Sequence, residues 1–253
     1  MNISGNTILI TGGGSGIGRG LAEAFQALGN MVIIAGRRQA MLDETIAANP
    51  GMASMTLDIN DAASVRRFAA RVTAEHPALN MLINNAGIMR RENLRVQQDD
   101  LADAEVTVTT NLLGPIRLTA ALLPHLQKQA QSTIVNVSSG LAFLPLVITP
   151  TYSATKAALH SYTVSLRYQL RDTTTEVIEV IPPAVQTDLM PGQPTNPNFM
   201  TLADYIAETM ALFQVVPTPP EICVREVDFL RRAEAEGRFE AALEALNHGR
   251  SAE

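Results

Sequence analysis

Asn6-Thr7-Ile8-Leu9-Ile10 runs directly into Thr11-Gly12-Gly13-Gly14-Ser15-Gly16-Ile17-Gly18, and the reading of this join decides the fold. The first part is a short, β-branched, apolar run, as a buried strand requires. Beyond the glycines, Ile17, Leu21, Ala24, Phe25 and Leu28 fall at helical spacing, and Gly29 ends the helix. Strand, glycine loop and helix in that order is the context in which such a loop holds a pyrophosphate. Glycine permits positive φ and lets backbone N–H groups approach phosphate without Cβ interference. The helix N-terminus adds oriented donors and partial positive charge. The candidate contacts are Gly12, Gly14, Ser15, Gly16, Ile17 and Gly18. The pattern is T-G-x-x-x-G-x-G rather than a strict G-x-G-x-x-G, so on its own it also fits a structural turn.

Working outward, Met31–Ala35 reads as a second strand that ends in Gly36-Arg37-Arg38. A dinucleotide fold that prefers NAD(H) places an acid here for the ribose 2′-hydroxyl, whereas an arginine accommodates a 2′-phosphate. Gly36 stands where the acid is expected and arginine follows, which favours NADP(H) over NAD(H); the alternative is a solvated helix start. Asn49-Pro50-Gly51 is a turn. Ala53–Leu57 is a third strand with Asp58 and Ile59 at its carboxyl end. Asp58 suits either an adenine amino group or the cap of a helix beginning near Asp61. Asn80–Ile83 is a fourth strand that opens Asn84-Asn85-Ala86-Gly87, a small-residue turn that either leaves room for a ribose or braces the sheet. Residues 100–129 carry a long helical pattern. Within it, Asn111 needs a partner, for it either holds a water or sits at a kink, and Pro115 fits a distortion.

Ser132–Val137 is a fifth strand ending in Ser138-Ser139-Gly140, and further on comes Tyr152-Ser153-Ala154-Thr155-Lys156. Residues four apart on a helix share a face, so Tyr152 and Lys156 would stack. A unit charge about 4 Å away, at an effective dielectric of about 20, is worth about 4 kcal/mol. That predicts a phenol lowered by up to roughly three units from its usual value near 10, towards a working pH. The competing reading is an amphipathic helix with an incidental Tyr–Lys pair. The chain has only two lysines, Lys128 and Lys156. Between the serines and this helix, Leu141–Ile148 is strongly apolar. Ile88, Met89, Leu141, Phe143, Val147, Ile148 and Met190 are candidates for a substrate pocket, or else plain core.

Composition narrows the classes. The chain has 253 residues with 46% apolar and 17% charged side chains, enough for one large α/β domain and no case for disorder. A net charge of −6 argues against nucleic acid as a partner. Cys223 is the only cysteine, so no disulfide framework is expected. His76, His125, His160 and His248 have no ligand spacing, so no metal is expected. No leader pattern and no apolar run of about 18 residues is present, which predicts no membrane span and a cytoplasmic location.

Thr11–Gly18, Asn84–Gly87, Asn111, Ser138-Ser139, Tyr152 and Lys156, in that order and spacing, resemble the short-chain dehydrogenase/reductase superfamily from residue 6 to about 190. The Gly-Arg-Arg ending and Pro182-Pro183-Ala184-Val185-Gln186-Thr187-Asp188 resemble its DltE-like oxidoreductase subgroup. The resemblance implies one doubly wound Rossmann domain over 1–253, with a parallel sheet of about seven strands in the order 3-2-1-4-5-6-7. It implies NADP(H)-dependent, reversible reduction of a ketone or aldehyde. Tyr152 would be the general acid/base, and Lys156 would lower its pKa and hold the nicotinamide ribose. Ser139 would bind the substrate oxygen, and Asn111 would hold a water. The glycine loop, Arg37 and Arg38 would hold phosphates, and Asp58 and Ile59 the adenine. Asn85, Ala86 and Gly87 would lie along the ribose, with Pro182, Val185 and Thr187 at the carboxamide. Imine or enoyl reduction on the same scaffold, and a nucleotide-sensing protein without catalysis, remain as alternatives. The resemblance also implies a homodimer or homotetramer assembled through helices at 101–129 and 150–171.

The chain departs from the family at several points. Pro182-Pro183 replaces a Pro-Gly after the sixth strand (Thr175–Ile181), and the usual glycine-rich ending is missing. Residues 190–220 are expected to form a substrate lid, with a helix at Leu202–Phe213. Glu221–Val224 is expected as a short last strand, and 221–253 as a charged helical extension packed on the domain or on a partner subunit.

Overall fold

The computed structural model describes residues 1–96 and 100–249. Seven parallel strands, β1 (Thr7–Thr11), β2 (Met31–Gly36), β3 (Ala53–Thr56), β4 (Leu79–Asn84), β5 (Ser132–Val137), β6 (Thr175–Val180) and β7 (Glu221–Ile222), form one sheet in the order β3-β2-β1-β4-β5-β6-β7. This is the expected doubly wound topology. Helices α1 (Gly16–Ala27), α2 (Gln39–Ala48) and α3 (Ala62–Glu75) follow the first three strands. α4 (Ala102–Val108), α5 (Gly114–Leu126) and α6 (Pro150–Leu170) follow in the middle of the chain. α7 (Leu202–Phe213), α8 (Asp228–Arg231) and α9 (Phe239–Asn247) complete it.

Both sheet faces are covered, which is why the strands read as nearly continuous apolar runs. Successive strand residues point to opposite faces. Ile8, Ile10, Val32 and Ile34 therefore pack with Leu21 and Phe25 of α1 on one side. Leu9, Ile33, Leu82 and Ile134 pack with Phe68 of α3, Leu118 and Leu122 of α5 and Leu166 of α6 on the other.

The long helical pattern is interrupted where Asn111 stands. Thr109–Leu113 is a π-helical turn, and Gly114 donates its N–H to the Thr109 carbonyl. Pro115 has no N–H to return to residue 111, so the α-helical ladder cannot run through. The composite helix Ala102–Leu126 is long and apolar enough, by length and composition, to cross a membrane. In this fold its inward side chains, including the fully buried Leu118, Leu122 and Leu126, belong to the second core.

The segment expected as a lid divides in two. α7 is a core element, for Tyr205 and Phe213 are buried and the Phe213 ring lies 5.5 Å from that of Phe25. Only the loop before it borders the cleft described below. The extension packs on the connection that follows β5. Leu144, Ala233 and Ala242 form a small buried cluster with Leu243 and Leu246 at its edge. A Cβ on Gly140 would stand 2.6 Å from Leu230, so glycine lets the extension lie directly against the end of β5. Asn247 pins the other end, accepting from the Val147 N–H at 2.8 Å and donating to the Pro145 carbonyl at 3.1 Å.

Candidate active site

A cleft of about 470 Å³ opens at the carboxyl ends of the central strands, where the strand order reverses. Its floor is the glycine loop. Gly12 has φ +69°, and a Cβ there would stand 3.0 Å from both the Ala86 Cα and the Asn85 side chain. A Cβ on Gly18 would collide with the Gly12 carbonyl. These two glycines are therefore imposed by the close approach of loop, helix and β4 turn. Ser15, the N-cap of α1, makes no side-chain cap hydrogen bond. The first-turn N–H groups of a helix have no intrahelical acceptor, and Gly16, Ile17 and Gly18 line the cleft. Gly14 and Ser15 line it too.

Arg37 and Arg38 lie at the same end of the cleft, and neither has an ion-pair partner among the described residues. Leu57 and Ile59 line the cleft. Asp58 lies outside that lining; its carboxylate accepts from the Asn60 N–H at 3.0 Å. Asp61 itself caps α3 through the Ala63 N–H. Asn85, Ala86 and Gly87 line the cleft, and both asparagines of the turn also brace the sheet. Asn84 donates to Thr119 and Asn136, and Asn85 to the Thr11 carbonyl at 2.9 Å.

Asn111 is fully buried. Its amide donates to the Ile88 carbonyl at 2.8 Å and accepts from the Ile88 N–H at 2.9 Å. The same amide donates to the Thr155 hydroxyl at 3.3 Å, so Asn111 ties the β4 turn to α6.

Ser139, Tyr152 and Lys156 meet in one wall of the cleft, all three buried. Ser139 lies just beyond β5; its hydroxyl accepts from the Leu141 N–H at 3.1 Å and is near enough to the Tyr152 phenol to favour the phenolate. Lys156 lies one helical turn beyond Tyr152, its Nζ 5.5 Å from the ring centroid. That ammonium donates to the Val137 carbonyl at 2.8 Å. Burial disfavours both charged forms and outweighs the rest. It pushes the phenol up to about 12, against the Ser139 hydroxyl, and the lysine down to about 8. The expected lowering of the phenol is therefore reversed in this site. Simple helical spacing sets the neighbour but leaves out desolvation.

Met89, Leu146, Ile148 and Tyr152 form a buried apolar cluster, with Leu141, Leu189, Met190 and Leu246 packed on it. Ile88 lines the cleft. Phe143 and Val147, expected with this set, go elsewhere. The Phe143 ring lies edge-on to His160 at 4.7 Å, with the Arg231 guanidinium 4.2 Å over it. Val147 is 49% exposed. The extension docks on this connection, with Arg231 over the Phe143 ring and Asn247 accepting from the Val147 N–H.

Pro182, Val185 and Thr187 line the far end. The Pro182 carbonyl accepts from the Gly140 N–H at 2.9 Å. Gln193 donates to the Val185 carbonyl at 2.8 Å and to the Thr187 hydroxyl at 3.3 Å, tying the proline-rich loop to the turn. No spacing in the sequence marks Gln193. Nor does any mark Arg90, a cation of the cleft with Asp103 at 3.7 Å, or Leu246, distant in the chain from the rest of its cluster. The fold also gathers His160, Glu179 and Glu221, with potential ligand atoms within 4.8 Å of one another. Arg231 already grips both oxygens of Glu221, at 2.9 and 3.0 Å.

A family model described as short chain dehydrogenase matches residues 6–197. An uncharacterized oxidoreductase, DltE, of Bacillus subtilis (strain 168) is 44% identical over 189 residues, 75% of this chain and 75% of its own length. An NADP-dependent 3-hydroxy acid dehydrogenase of Schizosaccharomyces pombe (strain 972 / ATCC 24843) is 31% identical over 74% of each chain. The crystal structure of a short chain dehydrogenase from Burkholderia cenocepacia J2315 in complex with NADP superposes with a TM-score of 0.80. It is 25% identical, with 97% of this chain and 98% of that one covered.

Proposed function

This chain belongs to the short-chain dehydrogenase/reductase family, in its DltE-like group of oxidoreductases, and from that premise we propose that it reduces an apolar ketone or aldehyde reversibly with NADP(H). The observation that carries the reading is that Ser139, Tyr152 and Lys156 lie buried in one wall of the same cleft as the glycine loop, with Lys156 one turn beyond Tyr152.

The chain's own groups fit such a cofactor. The backbone cradle at Gly12 and Gly18 and the first-turn N–H groups of α1 suit a pyrophosphate. Arg37 and Arg38 suit a 2′-phosphate, and Pro182, Val185 and Thr187 a carboxamide. When bound, the nicotinamide supplies or accepts the hydride. Tyr152 Oη delivers the proton to the substrate oxygen. A phenol held protonated, with its pKa near 12, is suited to the reductive direction. Ser139 Oγ orients the same oxygen and stabilises the charge that develops on it. The Lys156 ammonium favours the phenolate left behind. The apolar cluster of Met89, Ile148 and Met190 packed against Tyr152 would favour an apolar substrate beside the phenol. The outward face of α6, with Val164 and Tyr168 exposed, is where a second copy would dock in a homo-oligomer.

The test is the initial rate of NADPH and NADH oxidation across apolar aryl and alkyl ketones. Turnover with a clear NADPH preference is expected. Tight binding of NADPH with no turnover on any carbonyl would sink the reading.

A further inference from the structure

β6 carries an unusual residue for a central strand. Between Ile178 and Val180 stands Glu179, fully buried, flanked by β5 on one side and β7 on the other. An isolated carboxylate in such a place is strongly unfavourable unless it meets a counter-charge. One oxygen of Glu179 receives the Nδ1 of His160 at 2.8 Å. The other, Oε1, is buried with no hydrogen-bond partner among the described residues.

His160 sits one turn beyond Lys156 on α6, as Lys156 sits one turn beyond Tyr152, so the three stack along one face. The Val137 carbonyl that holds the Lys156 ammonium lies on β5. Its residue pairs with Val180, the neighbour of Glu179, and Asn136 pairs with Glu179 itself. Lys156 has no carboxylate in salt-bridge contact among the described residues. We propose that Glu179 is the buried counter-charge of Lys156, a positioning residue that keeps the ammonium charged while His160 holds the carboxylate beneath it.

The surrounding charges support this assignment. Glu179 is the one charge that opposes the fall in the Lys156 pKa caused by burial. From β7 and the extension, Glu221, Cys223 and Arg231 face the same space. Arg231 grips Glu221 by a two-pronged ion pair and lies over the Phe143 ring; it also feels the Glu179 charge, which it therefore shares with Lys156. The same fork makes Glu221 a poor ligand for a cation. The proposal rests on Lys156 belonging to the active site, and its test needs no turnover.

The chain has two lysines, so protein labelled with ¹³C-lysine gives two side-chain signals that can be followed against pH. Lys128, exposed on the surface, is the internal reference. In Glu179→Gln the Lys156 midpoint is expected to fall from near 8 by about one pH unit, with Lys128 unmoved. Glu179→Asp keeps the charge on a shorter arm and is expected to fall by less; it also serves if the glutamine variant does not fold. An unchanged Lys156 midpoint in the folded variants would overturn the proposal. Where turnover is available, Glu179→Gln should move the alkaline limb of the pH–rate profile down by the same amount. A uniform loss at every pH would reduce Glu179 to a structural residue and overturn the assignment as well. If no carbonyl is turned over at all, the titration still decides.

Discussion

The two halves of the proposed site are made of different material. On the cofactor side the contacts are mostly backbone: the loop from Gly12 to Gly18, the start of α1 and the turn after β4. On the proposed substrate side are apolar side chains packed against Tyr152 rather than in the cleft lining, drawn from well-separated stretches, namely Met89, Leu141 and Ile148, Met190, and Leu246 of the extension. A site made of backbone needs glycines and tight turns at fixed offsets, and those leave a pattern in the chain. A site made of apolar side chains needs only volume and shape, which any apolar letter can supply. The first kind is constrained position by position, and the second is free to drift.

The groups proposed as catalytic lie at the seam between the halves, and there the largest effect is expected. Tyr152→Phe removes the proton donor and leaves both halves in place. Turnover should fall about 100- to 10,000-fold, with NADPH affinity nearly unchanged when measured by direct titration. Retained turnover would take Tyr152 out of the chemistry and leave the comparison without its seam.

Within the cofactor half, Arg37 is a side chain in a backbone site, so it should control selectivity without controlling assembly. A hydrogen bond to a charged group is worth about 1.5–3 kcal/mol. Arg37→Ala should therefore weaken NADPH by roughly ten- to a hundredfold and leave NADH unaffected, as read from the two dissociation constants. Equal losses for both cofactors would show that Arg37 supports the structure of the half rather than reading the 2′-phosphate. A smaller effect follows from Lys156. Its pKa is depressed, so the ammonium is present below pH 8 and is lost as pH rises through about 8. NADPH affinity should fall across that window, by at most about tenfold per pH unit for one linked proton. The folded state releases this proton before the unfolded chain does. Between about 8 and the ordinary lysine value the group adds stability as pH rises, so a loss of affinity there is not unfolding.

Legibility followed the same division. The first six strands could be read from apolar runs closed by glycine, asparagine or serine turns, with β5 legible to the residue at Ser132–Val137, whereas the strand order came from the family resemblance. Tyr152 and Lys156 could be paired because one helix carries both. What could not be read came from packing between distant segments. The direction of the Tyr152 pKa depends on how many atoms bury it, and a four-residue spacing says nothing about that. The use of the Asn111 amide depends on Ile88, twenty-three residues away in the chain. Phe143 and Val147 look no different from Leu141 and Ile148 until the extension is in place. Glu179 reads as one polar letter in a strand until α6 brings His160 over it.

Leu246 offers the finest test of the comparison, because it is the residue of the substrate half furthest in sequence from the family pattern, which ends at residue 197. It belongs both to the cluster around Tyr152 and to the cluster that anchors the extension, and the neighbouring Asn247 fixes it by two hydrogen bonds to the 145–147 backbone. If it forms a wall of the substrate site, Leu246→Ala enlarges that site without touching the cofactor half. The loss of a half-buried side chain is worth about 1 kcal/mol, or roughly fivefold in KM for a ketone that reaches the wall. Ketones too short to reach it should show no change, and NADPH affinity should be that of the unaltered protein. A loss common to long and short ketones would instead mean that Leu246 acts by anchoring the extension, and Asn247→Ala should then reproduce it. In that case the extension would buttress the site rather than form its wall, and size selection would rest with Met89, Ile148 and Met190 alone.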